Sequence, residues 1–283
     1  MSVNDCEPLG DDFEPDARFW LWLVWLRKTL GQPVRESDMA GQPALPRSNN
    51  DGPRQFRFVH APNSVSASEK ATELFVRQLP ALPRSFYDRP VQEVARALLG
   101  QWLLRDTEAG LLAGKIVEVE AYLAEHDPAN HAYRGRTRRN ASMFGPPGHA
   151  YVYAIHNRFC LNVVTEPEGV PSAVLIRAIE PICGIGLMQQ HRGIKTLREV
   201  ARGPGRLCQA LAIDRRFDGW DVTRGHQLWL AQAPEPVPAA RIRVSPRIGV
   251  TAAKDLPLRY FLADSPYVSS TRRGWQIDPD VSL

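Results

Sequence analysis

The period of apolar positions changes several times along the chain. Phe19 to Leu30 (FWLWLVWLRKTL) is a compact apolar run that predicts a short amphipathic helix. Residues 31–68 show no period and are rich in Gly, Pro, Ser and Asn (GQPALPRSNNDGP, APNSVSAS). Such a composition buries too little surface to offset its ordering entropy. A helical stripe begins at Val91, with Val94, Ala95, Leu98 and Leu99 at i+3, i+4, i+7 and i+8. Asp88 is placed to cap it, Pro90 is tolerated in its first turn, and Gly100 ends it. Strand-like pieces follow: WLLR, LLAGKIVEVEAYL, AYVYAI, RFCLNVV and SAVLIRAIE. A helical stretch, GPGRLCQAL, comes next, then further strands at QLWLA, RIRVSPRIGV and LRYFLA. No regular βαβ alternation is present, so the pattern predicts an α+β fold. It is read as a single mixed, strand-rich domain over residues 85–283, with a protruding β-hairpin and short flanking helices. Residues 1–84 read as a low-complexity, disordered N-terminal extension.

Composition narrows the class. A chain of 283 residues that is 43% apolar can fill a core, which excludes wholesale disorder. The longest apolar run near the start, Phe19 to Leu26, falls far short of the roughly 20 residues that span a bilayer. The stretch before it is acidic (Asp11, Asp12, Glu14, Asp16), unlike a secretory signal. Cys6, Cys160, Cys183 and Cys208 form no C-x-x-C, which argues against a disulfide scaffold or zinc knuckle and for a reducing compartment. Charge is unevenly shared: residues 1–84 carry 10 Lys+Arg and 11 Asp+Glu, whereas residues 85–283 carry 25 and 20. Of those 25 basic residues 22 are arginines, whose planar fork suits phosphate.

Three places carry candidate chemistry. In Lys115–Tyr122, alternation puts Ile116, Glu118, Glu120 and Tyr122 on one strand face, opposite Val117, Val119 and Ala121. The two carboxylates then lie about 6–7 Å apart. The runs 151–155 and 158–164 are separated by His156-Asn157, which predicts a tight two-residue hairpin. That register pairs 155 with 158, 153 with 160 and 151 with 162, so Tyr151, Tyr153, Cys160 and Asn162 share a face. Aromatic rings beside an amide suit stacking on a planar heterocycle and reading its edge. Between these elements His131–Asn140 carries Arg134, Arg136, Arg138 and Arg139 on a Gly-containing loop, a natural phosphate binder. A metal site from His126, Asp127 and His131 lacks a third-ligand pattern, and no metal is expected. Pro181-Ile-Cys-Gly-Ile-Gly186 looks superficially like a helix-hairpin-helix turn, but the Leu-Met-Gln-Gln-His after it does not continue that motif.

Taken together, these residues resemble the alkyladenine (3-methyladenine) DNA glycosylase family, which is distinct in fold from the helix-hairpin-helix glycosylases. The resemblance runs from about Tyr87 to Ser269 through RPVQEVARALLG, KIVEVEAYL, RNASMFGPPGHAYVYAI, RFCLNVVT, AVLIRAIEP, GPGRLCQALAI and LRYF…SPYVS, in that order. It implies that Glu120 is the general base activating water, with Arg177 helping to hold it. It implies that Tyr122, His131 and Tyr153 sandwich an extruded base, and that Asn162 rejects guanine. No cofactor is implied, and no lysine falls at a matched catalytic position. The one departure is the hairpin tip: the family usually has a Tyr-Gly tip one residue longer, whose tyrosine wedges into the minor groove. Here the tip is His156-Asn157-Arg158, so His156 is the expected wedge, with Arg158, Arg138 and Arg139 on the DNA.

The implied activity is a monofunctional DNA glycosylase that flips alkylated or deaminated purines from double-stranded DNA and hydrolyses the N-glycosidic bond. The expected partner is damaged duplex, met by a monomer with no membrane association. Expected localisation is the cytoplasm (nucleoid) in a bacterium or the nucleus in a eukaryote. Two other classes compete: a non-catalytic nucleic-acid-binding protein, and a metal-dependent hydrolase built on Glu118, Glu120, His126 and His131.

Overall fold

The computed structural model describes residues 67–269 and Gln276–Ile277, so the helix expected at Phe19–Leu30 lies outside the described residues. The chain divides into two units, Met1–Arg77 and Gln78–Leu283. Of the first, the described part is helix α1 (Ala67–Arg77), braced by an i,i+4 pair between Glu73 and Arg77 at 2.8 Å. It lies in the stretch read from composition as extension.

The second unit opens earlier than residue 85. Ala81 bridges to Ala231, the Leu82 amide donates to the Leu230 carbonyl at 2.9 Å, and Leu82 is buried in the core. Two short helices follow, α2 (Arg84–Tyr87) and α3 (Val91–Leu98), the latter burying Val91, Val94, Ala95 and Leu98 as its stripe predicts. Asp88 does not cap α3. Pro90 occupies the cap position, and the free Val91 amide donates instead to Glu166 Oε1 at 2.9 Å. The orphan donor of the first turn is satisfied by a residue 75 positions away, which local pattern cannot show.

Among the described residues, nine antiparallel strands form one sheet: β1 (Trp102–Thr107), β2 (Gly110–Tyr122), β3 (Ala150–Ile155), β4 (Arg158–Thr165), β5 (Ser172–Cys183), β6 (Leu228–Ala231), β7 (Ile242–Ser245), β8 (Arg259–Leu262) and β9 (Gln276–Ile277). The order is β3-β4-β5-β2-β8-β7-β9, with β1 pairing β2 and β6. The long strand β2 is the axis of the sheet. One edge pairs with β5 along its length, while the other pairs first with β1 and then with β8. Helices α4 (Ile185–Arg192) and α5 (Pro204–Ala210) follow β5. Pro181 lies within β5, so a strand rather than a helix precedes the Gly-containing turn there.

The predicted strands are present with one correction. RIRVSPRIGV is a strand only over Ile242–Ser245, because Pro246 has no amide to donate and the chain turns away. On one side of the sheet lies the main core, including Val117, Val119, Ala121, Val152, Leu161, Val163, Val174 and Ile176. A smaller cluster of Ala132, Met143, Tyr151, Val164 and Ala173 is separate from it. The outer edge of β3 is covered by residues 218–220, with Asp218 Oδ1 accepting the Val152 amide at 3.0 Å.

Candidate active site

The pairing places one row of residues straight across four strands: Tyr151, Asn162, Leu175 and Glu120. The hairpin has the predicted register, Ile155 with Arg158, Tyr153 with Cys160 and Tyr151 with Asn162. Its turn residues His156 and Asn157 adopt φ of 45° and 59°, the left-handed pair that a two-residue hairpin requires.

Beneath this row, β2 and β5 slip twice, between Ile116 and Glu118 and between Glu118 and Val119. Val117 is the extra residue on β2 and Arg177 the extra residue on β5. The first bulge resets the alternation, so Ile116 joins Val117 and Val119 in the core instead of the carboxylate face. The second places Arg177 between the two glutamates: its Nε donates to Glu118 Oε1 at 2.9 Å and its Nη1 lies 3.1 Å from Glu120 Oε1.

Both carboxylates are fully buried, yet their surroundings differ. Glu118 Oε1 accepts from Arg177, from Arg259 Nε at 2.7 Å and from the Ser269 hydroxyl at 2.9 Å, and its Oε2 accepts the Ser269 amide at 2.6 Å. Burial alone would raise its pKa, but Arg177 and Arg259 overcome this and hold it below the usual carboxylate range. Glu120 receives three donors: the Ile248 amide on Oε1 at 2.7 Å, Arg177, and the Tyr122 hydroxyl on Oε2 at 3.0 Å. A carboxylate offers about four acceptor sites, so a second site on Oε2 remains for a water proton. Burial, and then the charge of Glu120, pushes the Tyr122 phenol far above its ordinary range, so it stays a donor.

Above the floor stand aromatic rings. His131 and Tyr153 meet edge to face with centroids 4.5 Å apart, and His131 Nδ1 lies 2.8 Å from the Tyr151 hydroxyl. Two of the three rings expected to sandwich a base, His131 and Tyr153, thus touch each other, while Tyr122 stands on β2 with its hydroxyl on Glu120. Burial lowers the pKa of His131, which favours the neutral imidazole. Asn162 is buried and its Nδ2 donates to the Tyr151 carbonyl at 3.0 Å, which sets the rotation of its amide. Burial also raises the pKa of Cys160, on the same face, so it is a thiol.

The rim is exposed. Arg134, Arg136, Arg138 and Arg139 lie on a loop closed by Asn140, whose Oδ1 accepts the Thr137 amide at 2.6 Å and whose Nδ2 donates to the His131 carbonyl at 3.0 Å. His156 sits at the hairpin tip. Arg158, also exposed, lies over Gly205, where an added Cβ would approach its Cδ to 2.9 Å, and donates to Gln209 at 3.3 Å. Room exists because β4 stops pairing with β5 at Asn162, and α5 packs beside the hairpin.

Several residues here escaped sequence reasoning. Arg259, Ser269 and the Ile248 amide arrive from 100 or more positions away in sequence. Asp127, weighed above as a metal ligand, forms a bidentate pair with Arg247 at 2.6 and 2.7 Å, and both side chains are fully buried. Its oxygens also accept the Leu123 and Ala129 amides. His126 points to solvent with its side chain 96% exposed. The metal-site reading thus loses Asp127 and Glu118 to arginines. Arg247 directly follows Pro246 at the end of β7, and nothing in the sequence marks it as buried.

The sequence profile of the family described as methylpurine-DNA glycosylase matches residues 85–266. A protein of Carboxydothermus hydrogenoformans is 51% identical over 189 residues, covering 66% of this chain and 98% of the relative. One from Koribacter versatilis is 47% identical over 198 residues, covering 69% and 96%. One from Methanocella arvoryzae is 48% identical over 201 residues, covering 69% and 99%. All three relatives bear, provisionally, the name 3-methyladenine DNA glycosylase.

Proposed function

The chain belongs to the methylpurine-DNA glycosylase family, and from that premise we propose that it is a monofunctional DNA glycosylase of base excision repair, extruding alkylated or deaminated purines from duplex DNA and hydrolysing their N-glycosidic bond. The observation that carries the reading is Glu120: a buried carboxylate held by three donors, with one acceptor site left on Oε2, at the foot of an aromatic wall.

A base inside a duplex is out of reach, and extruding it costs a few kcal/mol, least where pairing is already damaged. The extruded base lies between Tyr122 and the His131–Tyr153 wall, with Asn162 at its edge. Alkylation at N3 or N7 makes the purine cationic and a good leaving group, and tyrosine faces favour a cation. As C1′ gains oxocarbenium character, water adds to it and gives its proton to Glu120; the positioned base is worth about 10²–10⁴ in rate. Arg177 and the Tyr122 hydroxyl hold Glu120 in place, and Glu118 fixes Arg177. Lys115, on the same strand, turns onto the Trp102 ring at 5.6 Å, which supports hydrolysis by water in place of a Schiff base.

His156 at the tip fills the gap left by the base, Arg158 braces the hairpin on α5, and the Arg138–Arg139 loop grips phosphates. The test is the product: the purified chain, given methylated duplex in excess chelator, releases free methylpurine and leaves alkali-labile abasic sites without nicking. Tight binding without released base would favour the nucleic-acid-binding alternative, and loss of release in chelator the metal-dependent one.

A further inference from the structure

Tyr122 has two faces, and one of them is covered. The Arg247 guanidinium lies 4.5 Å from the ring centroid, and its side chain is fully buried. The part of Tyr122 that reaches the site is therefore the opposite face or edge. Asp127 clamps the guanidinium through both oxygens, and Arg247 Nη1 also donates to the Ala121 carbonyl at 3.0 Å, one residue before Tyr122. Arg247 Nε has no hydrogen-bond partner, so the ring and Asp127 between them set where the charge sits. The mechanism above makes no use of this pair.

The consequence is electrostatic. A ring attracts a cation through its negative face, and a cation already seated on one face spends part of that attraction. Arg247 is the member of the ion pair seated on the Tyr122 ring, so the pair presents its positive end to that ring. We infer that Arg247 is a positioning and specificity-determining residue: it locks the Tyr122 ring, and it lowers the pocket's preference for cationic purines relative to neutral ones. Cationic bases such as 7-methylguanine leave readily by themselves and need little selection. Neutral bases such as hypoxanthine gain from a pocket that does not fill with cations. The inference rests on the glycosylase reading and deepens it toward substrate class.

The experiment measures single-turnover excision of 7-methylguanine and of hypoxanthine from the same duplex sequence, and reads the ratio of the two rates. Replacing the pair together, Arg247→Met with Asp127→Asn, avoids stranding a buried charge. The ratio should shift toward 7-methylguanine by about fivefold, the scale of one cation–π contact. Arg247→Gln with Asp127→Asn keeps a planar amide over the ring and a hydrogen-bonded partner at 127 while removing both charges, and should shift the ratio the same way if the Met/Asn variant fails to fold. Arg247→Lys keeps the charge and should hold the ratio within about twofold, since a flexible ammonium retains the sign of the field. An equal fall in both rates, with the ratio unchanged in the Met/Asn and Gln/Asn variants, would make Arg247 merely structural and overturn the inference. A wild-type chain that excises neither base would instead bring down the glycosylase reading on which it rests.

Discussion

The floor of the site and its rim are built on opposite principles. On the floor, Glu118, Glu120, Arg177, Asp127, Arg247 and Arg259 are buried and paired among themselves, to Tyr122, or to backbone amides and carbonyls. On the rim, His156, Arg138 and Arg139 are exposed, and Arg158 holds one long contact to Gln209. Buried charges need such pairing because an isolated one costs far more than folding can supply. Exposed charges do not, and remain available to phosphates. The contrast teaches that changes on the floor should act through stability or the chemical step, and changes on the rim through DNA.

The sharpest break of that contrast is Glu118→Gln. Removing the carboxylate leaves Arg177 and Arg259 facing a neutral amide in a buried site, at a cost of about 3–5 kcal/mol. Thermal denaturation should show the loss, and excision by the folded fraction should fall far less than in Glu120→Gln, because Glu118 acts on Glu120 only by fixing Arg177. A variant of normal stability that is inactive would move the chemistry to Glu118.

A smaller effect is expected where the second unit begins. Extending an N-terminal deletion from residue 77 to residue 84 removes buried Leu82, its bond to Leu230 and the Arg84–Asp221 pair at 2.7 Å. Burying one leucine is worth about 1.5–3 kcal/mol. In a domain of this size the melting temperature should fall by roughly 5 °C between the two deletions. Equal melting temperatures would put residues 78–84 outside the folded unit.

The pH dependence distinguishes the two regions again. Because the folded pKa of Glu118 is depressed, its contribution is complete above the unfolded value and is lost as pH falls through the folded one. Acid titration of stability should therefore show a steep loss below the ordinary carboxylate range, and Glu118→Gln should flatten it. Unchanged steepness would mean that other carboxylates carry the acid transition.

The smallest effect belongs to the rim. His156→Ala should weaken lesion binding and slow excision of well-paired hypoxanthine by a few fold, on the order of one stacking contact. Mismatched hypoxanthine, which flips more easily, should be affected less. Equal rates for wild type and variant on both duplexes would remove His156 from the mechanism.

What the chain disclosed about itself follows the same division. Alternation placed Glu118, Glu120 and Tyr122 on one face, and two-residue hairpin geometry put Tyr151 opposite Asn162 and Tyr153 opposite Cys160, because both are local consequences of a period of two. Of the arginines that complete the floor, Arg177 entered only through the family resemblance, and Arg247 and Arg259 were hidden. Arg177 reaches both glutamates only because paired bulges slip the register, and a bulge leaves no period to read. Arg247 and Arg259 enter from loops and strands more than 100 residues away, brought by sheet topology. Glu166 caps α3 for the same reason, displacing the local candidate Asp88. Local chemistry was legible, and long-range pairing was not.

The division of labour between the two buried glutamates is tested most directly by Glu120→Gln. The amide keeps the shape: its oxygen can still accept the Ile248 amide while its NH2 donates to the Tyr122 oxygen, but it cannot take a proton from water. The measurement is the single-turnover excision rate on a hypoxanthine duplex, taken with the melting temperature and the affinity for the same duplex. The predicted result is a rate lower by about 10²–10⁴ with affinity close to wild type and a smaller loss of melting temperature than in Glu118→Gln, since Arg177 keeps Glu118 as partner. A rate within tenfold of wild type would contradict the account and remove Glu120 as the base.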